Sequence, residues 1–546
     1  MNSLSFIPLG GIGDVTKNMY LYELQNQILI VDCGLGFPDE TMLGVDLLLP
    51  DISYLKTTKK KIVGMVISHG HEDHVGALPF VLPNLPKFPI FTTRMAATFA
   101  NGKLKEYKQS PSVQHADFNK PLNLGDFTVT FIRVTHSIPD TSHIFIKTPV
   151  GNFYHGSDFK FDPNPYDGNL SDLEKIKEAG RMGITALFSD CLGAEKEGRT
   201  RSESLLPANF EREIKNTWGK FIVTTYSSNI ARLNQVIEAS EKVGRKVCFI
   251  GRSLLKMRDI GKDLGYLKIK AGTEITLPQT KSYKDSDLTL IVAGSQGQEE
   301  SAMTRFVNDE IREVKLRPHD TIIFSADPIP GYEIYVYEVI DTIAKKGAKV
   351  LYSGVTSDFH VSGHGSQDEL SDLIKLLNPK KLVPISGGFR HMAAYKNMAL
   401  KMGRNPKDIL LPDNGLPIIF DKDGARFGKK FHSKNVYVDN IGGEMENFIL
   451  MDRQKLSEGG IVIVLSEVDS DTGQLIKLDI ITRGISLPEK MLISKLSNNV
   501  KKSLSKRKGR VINWSYIRKL IGNVSERVIL RDLRVRPLVL PVVIEV

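Results

Sequence analysis

The chain has 546 residues, 41% of them hydrophobic and 25% charged, which is ordinary for a folded protein and excludes a disordered chain. No apolar run reaches the roughly 18 residues of a membrane-spanning helix, and the N-terminus lacks the pattern of a secretory signal. Association with a membrane is therefore not expected. The formal net charge of +10 favours a polyanionic partner but does not identify one.

At roughly 100–200 residues per domain, the length predicts three or four domains. Only three cysteines occur, Cys33, Cys191 and Cys248, too few and too scattered for a disulfide framework. We therefore expect reduced thiols and a cytoplasmic protein.

Residues 1–198 are predicted to form the first part of a β-rich domain with short strands and tight turns. Apolar, β-branched runs cover Gln27 to Asp32, Lys61 to Ser68, Phe127 to Thr135 and Asn152 to Tyr154, and each ends at polar residues. Strands that deliver polar side chains at their ends can build a site on the rim of a β scaffold.

Residues 199–350 alternate strand, turn and helix, a pattern typical of a parallel sheet with covering helices. The stretch FIVTTYSSN precedes a helical segment, and KVCFIG, LTLIVAGSQGQ and TIIFSADPIPG repeat the arrangement. Residues 351–431 return to short strands, including KKLVPIS, so the α/β segment is interpreted as an insertion into the first domain. Residues 432–450 are a predicted linker, and residues 451–546 a small α+β domain.

The segment SHGHEDHVGALPF, Ser68 to Phe80, carries the strongest chemical signal, because His69, His71, Asp73 and His74 lie within six positions. In extended backbone, residues two apart point the same way, so His69 and His71 can meet one cation. Asp73 and His74 can face a second cation where a helix begins. Imidazole and carboxylate ligands suit Zn²⁺, and also Mn²⁺. A histidine-rich turn without a metal is the alternative, and so dense a cluster in a chain with 12 histidines argues against it.

A two-metal site needs more than four protein ligands, and two downstream residues are candidates. His136 and Asp158 each follow a predicted strand, and the two oxygens of Asp158 can bridge cations about 3.5–4 Å apart. Asp32, at the end of QILIVD, is predicted to accept a hydrogen bond from a ligand imidazole or a bound water. Histidines without ligand-type neighbours are interpreted as structural: His115, His143, His155, His319 and His432.

These motifs, with several others, resemble those of the ribonuclease J family, which belongs to the β-CASP metallo-β-lactamases. The resemblance runs nearly end to end and rests on the segments IPLGGIGDVTKNMYLYE, GFPDETMLGVDLLLPDISYL, SHGHEDHVGAL, THSIPD, SDFKFD, GRS, GSQGQ, FHVSGHGSQDEL and RPLVLPVVIEV. It implies an α/β fold: a metallo-β-lactamase αββα sandwich with an inserted β-CASP α/β domain, and a small α+β C-terminal domain involved in dimerisation.

The resemblance also implies a function. The protein would be a metal-dependent ribonuclease that cuts single-stranded RNA in RNA maturation and decay, as a 5′-to-3′ exonuclease favouring 5′-monophosphate ends and as an endonuclease. Two divalent cations per chain, Zn²⁺ in the first place and Mn²⁺ as the alternative, would activate the water. The implied assembly is a homodimer or homotetramer, or a complex with a paralogous subunit.

The family's metal-ligand positions fall on six residues of this chain: His69, His71, Asp73, His74, His136 and Asp158. Its catalytic acid and histidine positions fall on Asp190 and His364. The loop that holds the RNA phosphate falls on His360, Val361, Ser362, Gly363 and His364, and such a loop offers N–H groups and an imidazole to an anion. Ser228 and Asn229, at a strand end before a helix, are further candidates for phosphate binding, although such turns also simply cap helices.

One segment departs from the family pattern. Where the family has a metal-binding histidine in a PxHGE segment, this chain has Ser386, and Gly388 replaces the acidic residue. His391 is an alternative ligand, but a turn from strand to helix would direct it elsewhere. The departure leaves a second function open, that of a weakly active or inactive partner subunit that binds RNA or a catalytic homologue. A small-molecule metallohydrolase is a third, which the insertion and the basic charge disfavour.

Overall fold

The structure is a computed structural model that describes residues 3–329, 331–439, 443–485, 489–505 and 513–546. These residues form two compact units. The first comprises the chain up to Phe37 together with Leu48–Val436, and the second comprises Pro38–Leu47 and Tyr437–Val546. Within the described ranges, no helix has both the length and the apolar character needed to cross a lipid bilayer.

The strands, in chain order, are β1 (Leu4–Gly10), β2 (Met19–Leu24), β3 (Gln27–Val31), β4 (Leu47–Leu49), β5 (Lys61–Ile67), β6 (Ile90–Thr92), β7 (Val113–His115), β8 (Leu122–Leu124), β9 (Phe127–Arg133), β10 (Ser142–Thr148), β11 (Gly151–Gly156), β12 (Ile184–Asp190), β13 (Phe221–Thr224), β14 (Lys246–Ile250), β15 (Leu288–Val292), β16 (Thr321–Phe324), β17 (Lys349–Leu351), β18 (Lys381–Ile385), β19 (Ile418–Asp421), β20 (Gly424–Phe427), β21 (Val436–Val438), β22 (Glu444–Met445), β23 (Ile461–Val468), β24 (Leu475–Arg483) and β25 (Leu538–Glu545). The helices are α1 (Ser53–Thr57), α2 (Glu72–Val75), α3 (Leu78–Val81), α4 (Arg94–Glu106), α5 (Leu173–Arg181), α6 (Leu206–Lys215), α7 (Ile230–Lys242), α8 (Arg252–Asp263), α9 (Ala302–Val307), α10 (Glu333–Lys345), α11 (Gln367–Leu377), α12 (Phe389–Lys401), α13 (Asn447–Gly459), α14 (Glu489–Leu504) and α15 (Trp514–Leu533).

Two sheets of the first unit pack face to face. An eight-stranded sheet has the order β20-β19-β1-β2-β3-β5-β6-β7, and a six-stranded sheet has the order β18-β12-β11-β10-β9-β8. Phe6 of the first sheet stacks on Phe188 of the second, with ring centroids 4.0 Å apart. Leu373 of α11 and Tyr395 of α12 belong to the same buried core. The predicted sandwich of two sheets with helices outside is confirmed.

The sequence pattern shows which strands of this sandwich are covered on both faces. The parallel strands β12 and β18 read ITALFSD and KLVPI and are buried almost throughout, as expected where both faces of a parallel sheet are covered. Because β3 and β5 are also parallel, their carboxyl ends lie at one edge, and Asp32 and Ser68 follow there directly. This edge is where the candidate site is built.

The third sheet of the first unit is the predicted parallel sheet. It has the order β14-β15-β13-β16-β17, and every neighbouring pair is parallel. All four strands predicted between Phe221 and Phe324 are present, and a helix follows each of them. The turns after β13, β14 and β15 therefore lie along one edge of this sheet.

The secondary structure predicted from the sequence was wrong in two segments of the chain. Residues 1–198 contain the helices α4 and α5 among the strands, and residues 351–431 contain α11 and α12, of 11 and 13 residues, where short strands were expected. Local signals for one of them were present: α11 begins with a capping box between Ser366 and Glu369 and ends at Asn378 in the left-handed conformation, both common helix-end devices.

The second unit contains the predicted α+β arrangement. Its sheet has the order β24-β23-β25, and β25 runs parallel to β23. The helices α14 and α15 cover one face through residues such as Leu496 and Ile521. On the other face Leu540, Val542 and Ile544 are each more than 40% exposed, so the part of that face formed by β25 is apolar and open to solvent, while β24 contributes the charged residues Lys477, Asp479 and Arg483 to it.

A buried ion network fastens α7 to the loop that precedes His360. Arg232 is fully buried, and its guanidinium donates to Glu203 at 3.1 Å and to the carbonyl of Phe359 at 2.8 Å. A buried guanidinium needs such partners, because a buried charge without them is strongly destabilising. The inserted α/β segment thereby fixes where the 360–364 loop begins.

Candidate metal centre

The turn after β5 gathers three histidines and one aspartate. His71 has an extended backbone just before α2, so its ring points to the same side as that of His69. The two rings approach to 3.0 Å between His69 Nε2 and His71 Nδ1. Glu72, between His71 and Asp73, turns away and pairs with Lys103 of α4.

His136 and Asp158 join this turn from two other segments. His136 Nε2 lies 3.2 Å from His71 Nδ1, and Asp158 Oδ2 lies 3.8 Å from both His69 Nε2 and His136 Nε2. One ligand atom from each of these residues falls within 4.8 Å of the others. We call His69, His71, His136 and Asp158 the four-donor group.

A second group of donors shares the same aspartate. His74 Nε2 lies 3.3 Å from Asp158 Oδ2 and 3.6 Å from Asp73 Oδ2, and these residues form another candidate set. We call Asp73, His74 and Asp158 the three-donor group. The structure thus brings together all six predicted ligand residues, with Asp158 common to both groups.

Asp190 and His364 flank the same carboxylate and form a third candidate set with it, but in this set the histidine and Asp190 are already paired with each other. His364 Nδ1 lies 2.7 Å from Asp190 Oδ2, and His364 Nε2 lies 3.8 Å from Asp158 Oδ2. Asp190 is buried at the end of β12, and His364 follows the insertion, 174 residues later. The pairing holds the His364 ring with Nε2 directed at the donor groups.

Carboxylate and carbonyl acceptors fix the orientation of two candidate ligands. Asp32, with φ of 63°, accepts hydrogen bonds from the backbone and hydroxyl of Ser68 and from His74 Nδ1 at 2.8 Å. The carbonyl of Gly363 accepts from His136 Nδ1 at 2.7 Å. Because each Nδ1 donates to one of these acceptors, each Nε2 is the ring nitrogen that faces the pocket and can bind a cation.

The electrostatics of the pocket keep the imidazoles of His69, His71 and His136 neutral and the shared carboxylate ionised, whereas the nearby carboxylates of Asp158, Asp73 and Asp32 outweigh burial and raise the pKa of His74 well above its usual value. Burial lowers the pKa of His71 to about 3 and holds the pKa values of His69 and His136 well below the usual value. Burial raises the pKa of Asp158, but the facing His74 and His364 outweigh it, and the net pKa lies well below the usual range. Neutral imidazoles and an ionised carboxylate are the forms that bind metals.

The pocket also passes a direct test of fit for cations. Asp158 Oδ1 is buried and has no hydrogen-bond partner among the described residues, although buried polar atoms are nearly always paired. The other oxygen of this carboxylate, Asp158 Oδ2, lies within 3.8 Å of the Nε2 atoms of His69, His74 and His136. The residues present therefore fit bound divalent cations, with a nitrogen-rich four-donor group and an oxygen-rich three-donor group.

The 360–364 loop lies against the ligands rather than apart from them. Gly363 has no room for a side chain, since a Cβ there would stand 2.7 Å from His136 Cε1. The hydroxyl of Ser362 accepts from the backbone N–H of His364, His360 Nε2 lies 3.6 Å from Asp327, and Val361 is buried. The loop therefore both orients His136 and carries His364.

The other two candidates for phosphate binding, Ser228 and Asn229, have different positions: one faces a cavity and the other is buried. Ser228 lines a cavity of about 530 Å³ together with His71, Arg252 and Lys256. Asn229 is 2% exposed, and its side chain accepts from the backbone N–H of Arg232 at 3.0 Å, capping α7. Asn229 thus shapes the turn that presents Ser228.

The predicted departure at Ser386 is visible in the structure. Ser386 is 3% exposed, and its hydroxyl donates to Asn18 Oδ1 at 3.1 Å. His391 accepts from the backbone of Gly388 at the start of α12 and faces Glu195 at 3.4 Å. It belongs to no donor group within the described ranges.

The five histidines interpreted as structural also stay outside the donor groups of the described residues. His143 and His155 are buried in strands of the six-stranded sheet, and His155 Nδ1 lies 2.9 Å from the hydroxyl of Tyr22. The other three, His115, His319 and His432, are exposed.

Sequence reasoning missed three residues that support the site. Asn18 places its amide nitrogen 3.1 Å from His74 Nε2, and Ser68 links Asp32 to His69. Glu369 accepts backbone N–H groups of Phe161 and Thr200. Only Glu369 had a local signal, the capping box with Ser366, because the other contacts depend on the folded chain.

Four family models match the chain in order. They are the metallo-β-lactamase superfamily over residues 12–181, the ribonuclease J β-CASP domain over 218–343, the Zn-dependent metallo-hydrolase RNA specificity domain over 355–412, and the ribonuclease J C-terminal domain over 448–546. The fold and the donor cluster thus define a metallo-β-lactamase-type hydrolase, and the RNA specificity match implies RNA binding.

Comparison with similar proteins identifies the family within this class of hydrolases. The chain is 36% identical to ribonuclease J of Thermus thermophilus, covering 99% of this chain and 95% of that protein. It is 31% identical to ribonuclease J2 of Bacillus subtilis, covering 100% and 99%. The chain belongs to the ribonuclease J family and is a hydrolase of the nuclease type. A crystal structure of a protein of unknown function from Enterococcus faecalis V583 shares the fold, with a TM-score of 0.56 at 17% identity over 76% of this chain and 100% of that one.

Proposed function

We propose that this protein hydrolyses single-stranded RNA in RNA maturation and decay, from 5′-monophosphate ends in the 5′-to-3′ direction and also at internal bonds. The observation that carries the proposal is the position of Asp158, which belongs to both donor groups and leaves one buried oxygen unpaired. Two divalent cations, Zn²⁺ or Mn²⁺, fit these groups by the chemistry of their donors.

When bound, the cations supply a polarised water nucleophile and neutralise charge on the phosphate. The chain's own residues supply the rest. His136 and His74, fixed by Gly363 and Asp32, keep their Nε2 lone pairs in place without reorganisation. The carboxylate of Asp158 connects the two donor groups.

His364 is the residue that handles the proton. Burial lowers its pKa, but Asp190 and Asp158 outweigh burial and raise the pKa of His364 to about 9. The ring therefore carries a proton on Nε2 that it can give to the departing 3′-oxygen, while its charge stabilises the phosphate oxygens. Asp190 holds the ring and balances its charge.

The cavity beside His71 supports binding of a single strand. Its lining includes Ser227, Ser228, Arg252 and Lys256, on the turns that precede α7 and α8. Hydroxyls, cationic side chains and helix N-termini all favour phosphate. A strand lying there would place one phosphodiester next to the donor groups.

Product sizing tests the proposal. Purified protein with Zn²⁺ or Mn²⁺ is incubated with one RNA carrying a 5′-monophosphate or a 5′-triphosphate. We expect mononucleotides to accumulate from the monophosphate substrate, and mainly internal fragments from the triphosphate one. RNA that remains intact with both metals while still binding the protein would support the partner-subunit function, which Ser386 favours.

The assembly remains a prediction. The exposed apolar residues of β25, Leu540, Val542 and Ile544, support a homodimer, since exposed apolar patches rimmed by polar residues mark interaction sites. Sedimentation of the full chain at its monomer mass, at micromolar concentration, would exclude it.

A further inference from the structure

The two donor groups differ in the number and the type of their protein ligands. The four-donor group offers three imidazole nitrogens and one carboxylate, and the three-donor group offers one imidazole and two carboxylates. Four protein ligands complete a tetrahedral site, whereas three leave a position for water or another exchangeable ligand. Because Asp158 belongs to both groups, it does not by itself favour cation binding in one group over the other.

The imidazole of the three-donor group is already engaged. The amide nitrogen of Asn18 lies 3.1 Å from His74 Nε2, which is the atom that faces Asp73 and Asp158. A cation there has to displace this hydrogen bond. In the four-donor group, the nitrogens of His69, His71 and His136 face mainly one another, so a cation gains them without displacing a side-chain amide.

Ser386 occupies the place beside this group and supplies it with no ligand. Its hydroxyl donates to Asn18 Oδ1 at 3.1 Å and lies 3.3 Å from the hydroxyl of Tyr20. Asn18 in turn contacts His74, so Ser386 stands one side chain away from the three-donor group. A neutral hydroxyl that is committed to these partners is a poor ligand compared with imidazole or carboxylate.

We propose that the two groups bind divalent cations with unequal affinity. The four-donor group retains Zn²⁺ tightly, and the three-donor group holds an exchangeable cation because Ser386 contributes no donor to it. The inference rests on the proposed function for its biological meaning, but it concerns metal binding alone. The second site then fills or empties with the free concentration of cation.

Chelator competition on the full-length protein tests this inference. Zinc-loaded protein is equilibrated with increasing concentrations of nitrilotriacetate, and zinc retained per chain is counted by mass spectrometry. We expect zinc to leave in two steps, the first at a chelator concentration at least about tenfold lower, since loss of even an outer-shell partner costs about 10–100-fold in metal affinity. Release of both ions in one step would overturn the inference.

The variant Ser386→His adds a donor at the position in question. Ser386 has φ of 54°, a conformation in which histidine is enriched among residues other than glycine. We expect the weak step to shift toward the strong one, while the matched control Ser386→Ala keeps both steps in place. An unshifted weak step in a natively folded Ser386→His protein would overturn the inference.

If Ser386→His does not fold, a second variant, Asp73→Asn, tests the inference. Asp73→Asn is expected to remove the weak step and leave the strong step unchanged; loss of the strong step instead would overturn the inference. RNA cleavage is scored separately. Two unequal steps without cleavage would reject the proposed function and leave this inference standing, and cleavage with a single step would do the reverse.

Discussion

Replacing Asp158 with asparagine is expected to lower kcat/KM for RNA hydrolysis at least about 1,000-fold, equivalent to about 4 kcal/mol of transition-state stabilisation. The expectation follows from the position of this carboxylate in both donor groups. A neutral amide cannot attract two cations or neutralise the facing imidazoles. Rates are measured on 5′-monophosphate RNA under single-turnover conditions.

Asp423→Asn is a matched control, because it makes the same chemical change at an exposed carboxylate in the turn between β19 and β20. It should retain full activity. Circular dichroism and RNA binding establish that the Asp158 variant is folded. Wild-type cleavage by folded Asp158→Asn protein would remove the basis of the proposed chemistry.

Replacing His364 with alanine is expected to lower kcat by about 10²- to 10⁴-fold, the range associated with loss of a general acid or base. Its Nε2 lies 3.8 Å from Asp158 and its Nδ1 is held by Asp190 at 2.7 Å. The loss should fall on kcat, with zinc content unchanged, because His364 acts on the substrate. His115→Ala, an exposed histidine outside the donor groups, is the control.

The hydrogen bond between His364 and Asp190 allows a second test of this prediction. Asp190→Asn should reduce kcat less than His364→Ala, and the double variant should lose no more than His364→Ala alone, since residues that act as a unit are not additive. Additive losses would show that Asp190 acts independently of His364. Loss of zinc in either single variant would instead place these residues among the metal ligands.

The donor cluster could be approached from the sequence because its spacing is local. His69, His71 and the residues that follow lie on one turn, so backbone geometry alone relates them. His136 and Asp158 required only the assumption that strand ends meet at one edge of a sheet. Asp190 and His364 were identified from the family resemblance as separate positions, and their hydrogen bond was not predicted, since no local rule joins residues 174 positions apart.

The orienting contacts could not be predicted. Asn18 reaches His74 across 56 positions, and the carbonyl of Gly363 reaches His136 across 227. Such contacts depend on side-chain packing and not on periodicity. The helices α4 and α5 were missed for a related reason, because apolar residues that pack a helix onto a sheet also occur in short strands.

The contacts of Glu369 show how the two ends of the inserted α/β segment are attached to the sandwich. The chain departs near Thr200 and returns near Ser366, and the hydroxyls of these two residues are 3.0 Å apart. Both crossings are therefore tied to one carboxylate, which also accepts the N–H of Phe161. An insertion whose ends touch costs its host little loop-closure entropy. A different inserted segment could therefore be joined at this junction without changing the strand register of the sandwich.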